Sequence, residues 1–199
     1  LAYTSTPFRG LDLLLDALPD IRSAAPEATL RVFSGMRVYR QDPAEEAARY
    51  GGLYRRCAAT PGAAYEGPVA QPALAAALRE TAVLAYPNTF PETSCIAVME
   101  AMAAGCRVVT SDLGALGETS AGFAALVPPR ATPEAYRGRF VQEVLAALAG
   151  FEGPRRAETE ARLRAQVDWT LRECSWKARA WEWIAWFEAL RVSPSARAA

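Results

Sequence analysis

The chain contains no histidine, no net charge and no cysteine pair at metal-binding spacing, and each absence closes off a class of function. Without histidine, the commonest zinc co-ligand and the most frequent general base at neutral pH are both missing. The four cysteines, at positions 57, 95, 106 and 174, lie too far apart for a C-x-x-C site, so reduced thiols and no metal are expected. Lys plus Arg and Asp plus Glu both number 22, which leaves no net field to draw the chain to nucleic acid or anionic lipid. The longest apolar run, Ala97 to Val109, is interrupted by Glu100 and Arg107, which argues against a membrane span, and no charged-then-apolar leader opens the chain. What remains is ordinary for a globular protein: 199 residues, 51% hydrophobic and 22% charged, enough for one well-cored domain. Leu1-Ala2-Tyr3-Thr4-Ser5 already reads as a core strand with no initiator methionine, so a piece of a longer polypeptide is expected.

Strand-like and helix-like patterns alternate along the chain. Leu1 to Ser5 reads as extended, and Leu11, Leu14, Leu15, Leu18 and Ile21 then recur at helical spacing. Thr29 to Ser34 predicts a strand ending at Gly35, Ala44 to Cys57 a polar helix, and Ala64 to Glu66 a strand closed by Gly67-Pro68. Pro72 to Glu80 predicts a helix, Ala82 to Tyr86 a buried strand, Ser94 to Ala104 a helix stopped by Gly105, and Arg107 to Thr110 the next strand. A last strand falls at Ala124 to Val127, followed by helices over Pro133 to Ala149, Arg155 to Arg172 and Ser175 to Arg191, and a tail over 192–199. This alternation predicts an α/β fold: a doubly wound, parallel, six-stranded, Rossmann-like sheet with a helical carboxy-terminal segment.

Ligands of such sheets bind beyond the carboxyl ends of the strands. Three loops qualify. Ser5-Thr6-Pro7-Phe8-Arg9-Gly10 ends in a glycine that opens a helix, beside an arginine able to fork onto phosphate. Ser34-Gly35-Met36 places a glycine where a flat ligand can approach the backbone closely. Tyr86 to Ser94 holds two prolines, an aromatic and Glu92 directly before a helix, whose free N–H groups and positive dipole end favour an anion. Glu92 and Glu100 lie eight residues apart, about 10–12 Å along a helix axis at ~1.5 Å per residue. Hydrolase carboxyl pairs stand about 5–10 Å apart across one bond. The spacing instead suits an extended ligand held at both ends.

Glu92-x7-Glu100-Ala101-Met102-Ala103-Ala104-Gly105-Cys106-Arg107-Val108-Val109-Thr110-Ser111-Asp112 resembles the E-x7-E signature of retaining GT-B glycosyltransferases, the group 1 family. Ordered matches surround it: Arg9-Gly10 where the family usually has Lys-Gly, Gly35 after the second strand, Glu66-Gly67 after the third, Gly114 to Glu118 after the fifth, and Ser175-Trp176 at the last helix. The resemblance covers nearly all 199 residues and implies the carboxy-terminal, donor-binding domain, spanning residues 1–199. It further implies that Glu92 meets donor-sugar hydroxyls, that backbone amides of Thr93, Ser94, Cys95 and Ile96 hold sugar or diphosphate, and that Glu100 accepts both ribose hydroxyls. A carboxylate offers two acceptor oxygens for that last task. Arg9, with Gly10 and Gly35 beside the ligand, would balance the leaving diphosphate.

The same resemblance implies a UDP-sugar or GDP-sugar donor, no cofactor and no metal, no nucleic acid, and a cytoplasmic enzyme peripheral to the inner membrane through its other domain. Two departures stand out. The family commonly carries a further arginine ahead of its lysine, where this chain has Ser5 and Thr6, and the amino-terminal Rossmann-like domain that supplies most acceptor contacts is missing from the sequence. Little turnover by the fragment is therefore expected. Other readings are a noncatalytic interaction or regulatory module and a sugar-nucleotide epimerase, the second disfavoured by the lack of histidine. Cys95, at a helix start, reads either as a thiol of lowered pKa or as a small packing residue in place of the family's usual glycine, the latter preferred. Trp176, Trp181, Trp183, Trp186 and Phe187 read as packing residues; in isolation the last helix should expose some of them and drive self-association.

Overall fold

A computed structural model describes residues 1–129 and 132–192, so the tail expected over 192–199 lies, from 193 on, outside the described residues. The order of elements is β1 (Ala2–Tyr3), α1 (Leu11–Ala24), β2 (Leu30–Val32), α2 (Pro43–Ala59), β3 (Ala63–Tyr65), α3 (Gln71–Arg79), β4 (Val83–Tyr86), α4 (Ile96–Ala103), β5 (Arg107–Ser111), α5 (Leu116–Ser120), β6 (Ala125–Val127), α6 (Pro133–Ala149), α7 (Arg156–Glu173) and α8 (Trp176–Val192). Short 3-10 turns occupy Arg37–Tyr39 and Gly153–Arg155.

The six strands form one sheet in the order β3-β2-β1-β4-β5-β6, and every pairing is parallel. This is the doubly wound, Rossmann-like sheet expected from the sequence. Right-handed crossovers send the chain one way from β1 and the other way from β4, which puts α1 and α4 on opposite faces. On one face α1 packs with α6, and on the other α4 packs with α3, α5 and α7.

The apolar stripe of α1 accounts for its position. Leu11, Leu14, Leu15, Leu18 and Ile21 are all buried, together with Phe140 and Val144 of α6. Each such side chain contributes about 1.5–3 kcal/mol on leaving water. The central strands carry no alternation, because both sheet faces are covered: Val83, Leu84, Ala85 and Tyr86 of β4 are all buried. Local chemistry sets the helix starts. Asp42 accepts from the backbone N–H groups of Ala44 (2.8 Å) and Glu45 (3.3 Å) ahead of α2, Thr132 accepts from Ala135 (3.2 Å) ahead of α6, and a proline follows each cap.

Candidate functional site

Strand order reverses between β1 and β4, so the loops leaving those strands, Thr4–Gly10 and Pro87–Cys95, lie side by side at the switch point. They touch directly. Thr89 Oγ1 donates to the Phe8 carbonyl (3.3 Å), and the Phe8 and Phe90 rings meet edge to face with centroids 6.3 Å apart. The second loop is pinned from behind: Ser111 Oγ donates to the Asn88 carbonyl at 2.5 Å, and Ala115 N donates to the Glu92 carbonyl at 2.7 Å.

Glu92 is 5% exposed and sits in a polar network rather than in open space. Arg9 Nη1 donates to its Oε1 at 2.6 Å, and Tyr86 Oη donates to the same oxygen at 2.7 Å. Ser5 Oγ lies 3.3 Å from Tyr86 Oη. Arg9 Nη2 donates to Tyr39 Oη (3.0 Å), and the guanidinium stands 4.5 Å over the centre of the Phe90 ring. Burial opposes the charge on Arg9, but the Glu92 carboxylate together with the hydroxyls of Tyr86 and Tyr39 outweighs it and holds the guanidinium pKa above its ordinary value. Burial likewise lifts the Tyr86 hydroxyl well above the usual phenol range, so it stays a donor to Glu92.

In front of this network opens a cleft of about 550 Å³, within the usual ligand-pocket range of about 300–1,000 Å³. Arg9, Gly35, Ser94, Cys95, Ile96 and Glu100 line it, as do Thr4, Ser5, Tyr39 and Gln71. Six of the nine site residues expected from the sequence thus converge on one space. Gly10, Glu92 and Thr93 do not line it: Gly10 is buried under the neighbouring loop, and Glu92 stands behind Arg9.

One expectation is corrected here. The helix begins at Ile96 rather than Ser94, because Cys95 keeps an extended backbone (φ −108°, ψ 95°) and acts as the cap position. No side chain caps it, so the first-turn N–H groups face the cleft without an intramolecular side-chain acceptor. At the thiol of Cys95, burial outweighs the helix-start N–H groups of Val98 and Ala97, which lower its pKa, and pushes it up to about 11. Cys95 is a packing residue, as preferred.

Glu100, one side of the cleft, accepts a hydrogen bond from Gln71 Nε2 of α3. Burial raises its carboxyl pKa, and the Gln71 amide partly counters that rise. Tyr86, Tyr39 and Gln71 escaped sequence reasoning. Tyr86 ends a strand on the binding side, the one signal available for it; Tyr39 and Gln71 reach the site only through tertiary packing.

The last helix exposes its aromatic residues, as expected for the domain in isolation. Trp176 is 88% exposed, and Trp183, Trp186 and Phe187 form a surface cluster with centroids 5.4–5.5 Å apart, so these aromatics pack mainly on one another. Among the described residues no helix is long and apolar enough to cross a membrane.

Fold and cleft together define a Rossmann-like α/β domain with an open ligand site at its switch point. The family profile described as "Glycosyl transferases group 1" matches residues 2–149, and the chain belongs to that family, with the fold of the carboxy-terminal GT-B domain. It is 35% identical over 109 residues to a phosphatidyl-myo-inositol mannosyltransferase of Mycobacterium leprae (strain TN), a stretch covering 55% of this chain and 26% of that protein. Among solved structures, it superimposes on sucrose-phosphate synthase of Thermosynechococcus elongatus with a TM-score of 0.71 at 20% identity, covering 95% of this chain and 45% of that one. A UDP-forming alpha,alpha-trehalose-phosphate synthase of Burkholderia xenovorans gives a TM-score of 0.69 at 18% identity, covering 98% and 45%. The chain thus spans about a quarter of the mannosyltransferase and just under half of each of the two structures.

Proposed function

We propose that the cleft between the β1 and β4 loops holds a nucleotide-diphosphate sugar, and that the complete enzyme transfers its glycosyl group to an acceptor with retention of anomeric configuration. One observation carries this reading: Arg9, Gly35, the uncapped start of α4 and Glu100 line a single cleft of about 550 Å³. Glu100 accepts the ribose hydroxyls, the backbone from Ser94 to Ile96 receives the diphosphate, and Gly35 lets the base approach the β2 loop. Arg9 and Glu92 act as a pair. Glu92 orients the guanidinium while the donor is absent, and donor entry brings Arg9 to the diphosphate and a Glu92 oxygen to the sugar. Charge grows on the diphosphate as the glycosidic bond breaks, so a cation and helix dipole already in place favour the transition state. No metal enters this scheme.

The UDP-forming neighbour makes a uridine nucleotide the first to try, and the mannosyltransferase relative makes mannose the first sugar. Acceptor contacts, and attachment to the inner face of a membrane, belong to an amino-terminal Rossmann-like domain of the complete, cytoplasmic enzyme. That domain covers α8 in the whole protein; without it the exposed tryptophans pair chains with one another. The rival reading, a noncatalytic binding module, draws on the engagement of Arg9 by Glu92 and Tyr39.

Calorimetric titration with UDP, GDP and their sugars, on wild type and Glu100→Ala, tests the proposal. Loss of a charge-assisted bond costs about 1.5–3 kcal/mol, so at least a tenfold weaker Kd is expected in the variant. If neither nucleotide binds, or if Glu100→Ala leaves affinity unchanged, the reading fails. Nucleotide binding without transfer by the complete protein selects the rival.

A further inference from the structure

At the opposite end of the sheet from the cleft, three arginines meet without a carboxylate partner. Arg107 opens β5, Arg155 precedes α7 and Arg162 lies on its second turn, and all three line a hollow of about 230 Å³ with Gly150, Thr159 and Gln166. Among the described residues none of the three forms an ion pair. Their known partners are backbone carbonyls: Arg107 Nη1 donates to Ala147 O at 3.3 Å, and Arg162 Nη2 to Gly122 O at 2.5 Å and Phe123 O at 3.5 Å. Most of their N–H groups are therefore uncommitted.

Three further features converge on the hollow. Thr159 is only 8% exposed and lines the hollow with its Oγ1 beside Gly150. The start of α7 has no side-chain cap and adds the positive end of an 18-residue helix, although the Arg156 N–H already donates to the Gly153 carbonyl. Gly150 makes room for Arg107: a Cβ at that position would stand 2.1 Å from Arg107 Nη1 and 2.9 Å from Thr159 Oγ1. Its φ is −68°, so glycine is required here for space and not for conformation.

We propose that this hollow is a second anion site, separate from the nucleotide cleft, which takes a single phosphate or phosphomonoester group. Its size sets the ligand class. About 230 Å³ is room for roughly seven waters at ~30 Å³ each, ample for a phosphate and below the usual range for a nucleotide. Three forked guanidiniums and a hydroxyl suit the oxygens of a phosphate, which accept from several directions at once. Burial, and then repulsion from Arg162 and Arg155, lower the pKa of Arg107 by more than the nearby Glu143 carboxylate raises it, so positive charge dominates around Arg107. The one carboxylate on the lining is Glu158, which is exposed at the rim. Gln166, at the floor, donates to Met102 O (3.0 Å) and Cys106 O (2.9 Å), tying the site to the carboxyl end of α4.

The phosphate arrives either free in solution or as a lipid headgroup, and two arms separate these sources. In the first, inorganic phosphate is titrated calorimetrically at low ionic strength into wild type, Arg155→Gln/Arg162→Gln, Glu158→Gln and a control, Arg49→Gln/Arg172→Gln. The expected result is saturable binding, weakened at least tenfold in the first variant, tightened in Glu158→Gln and unchanged in the control. Both arginines of the test pair are exposed, so the fold should survive, and circular dichroism of the free variant checks that. In the second arm, flotation with phosphatidylcholine vesicles, with and without phosphatidic acid, shows whether a headgroup is captured through the same arginines. No saturable binding in either arm, or equal weakening in the control, would overturn the proposal.

Discussion

Gly10 lies directly beneath Pro87: a Cβ added to Gly10 would stand 2.0 Å from the Pro87 carbonyl oxygen, and the glycine holds φ at +97°. The two loops that form the cleft are therefore in backbone contact at the point where α1 begins. Gly10→Ala adds left-handed strain of about 1–2 kcal/mol to an overpacking cost of about 1–3 kcal/mol. Urea unfolding should show a loss of about 2–5 kcal/mol, with a nucleotide affinity that falls as the loops separate.

Arg9 and Tyr86 share one oxygen of Glu92, which makes their contributions interdependent. Tyr86→Phe removes a buried donor at a cost of about 1–2 kcal/mol. Arg9→Gln strands a buried carboxylate, and about 3 kcal/mol is expected, at the low end for such pairs because Arg9 is partly solvated. A double-mutant cycle by urea unfolding should return a nonzero coupling energy; strict additivity would mean the two side chains do not act through Glu92.

Nucleotide affinity should fall on acidification, beginning above the ordinary carboxylate range. Burial raises the Glu100 carboxyl pKa, and a protonated carboxyl loses half its capacity to accept the ribose hydroxyls. Calorimetry with a UDP-sugar, whose diphosphate diester carries no group titrating near pH 6, across pH 4–8 checks this, with Glu100→Gln expected to lose the Glu100 step.

Thiol burial predicts alkaline destabilisation. Cys57 and Cys95 are pushed up to about 11 and Cys106 to about 12, in each case first by burial. The fold favours the neutral thiol, so the stability they contribute is complete below the unfolded pKa of about 8.5 and is lost as pH rises towards 11–12. Melting temperature should decline between pH 8 and 10.5, less steeply in Cys106→Ala. A chromogenic disulfide reagent at pH 8 should modify Cys174 first, because it alone of the four is not buried, and reach the others only in denaturant.

Sedimentation should show association that grows with protein concentration, because Trp176, Trp181, Trp183, Trp186 and Phe187 are all exposed on α8. Trp183→Ala/Phe187→Ala removes the centre of the cluster and should restore a monomer.

What was legible in the sequence follows from the range of the forces involved. The stripe Leu11, Leu14, Leu15, Leu18 and Ile21 announced α1, and the continuous run Ala82–Tyr86 announced a strand covered on both faces, since hydrophobic periodicity is a local record of burial. The short helix Leu116–Ser120 and the turn Arg37–Tyr39 were missed, because neither is long enough to show a period. At the cleft, Arg9 and Gly35 were named from their loops, and Glu100 from its spacing to Glu92 and the family signature that spacing resembles. The Arg9–Glu92 pair was not, because it joins residues 83 apart in sequence, and nothing local reports that β1 and β4 are neighbours.

That adjacency has a kinetic side. β1 is two residues long and pairs with Arg31 and Val32 on one side and with Leu84 of β4 on the other, so the β1–β4 pairing joins the two halves of the sheet. Closing a loop of about eighty residues must precede its reward, so the search for this one pairing sets the pace of folding. No partly folded species that lacks the β1 and β4 pairing can hold the cleft, and the ability to capture a ligand should arise in the same kinetic phase as the global fold.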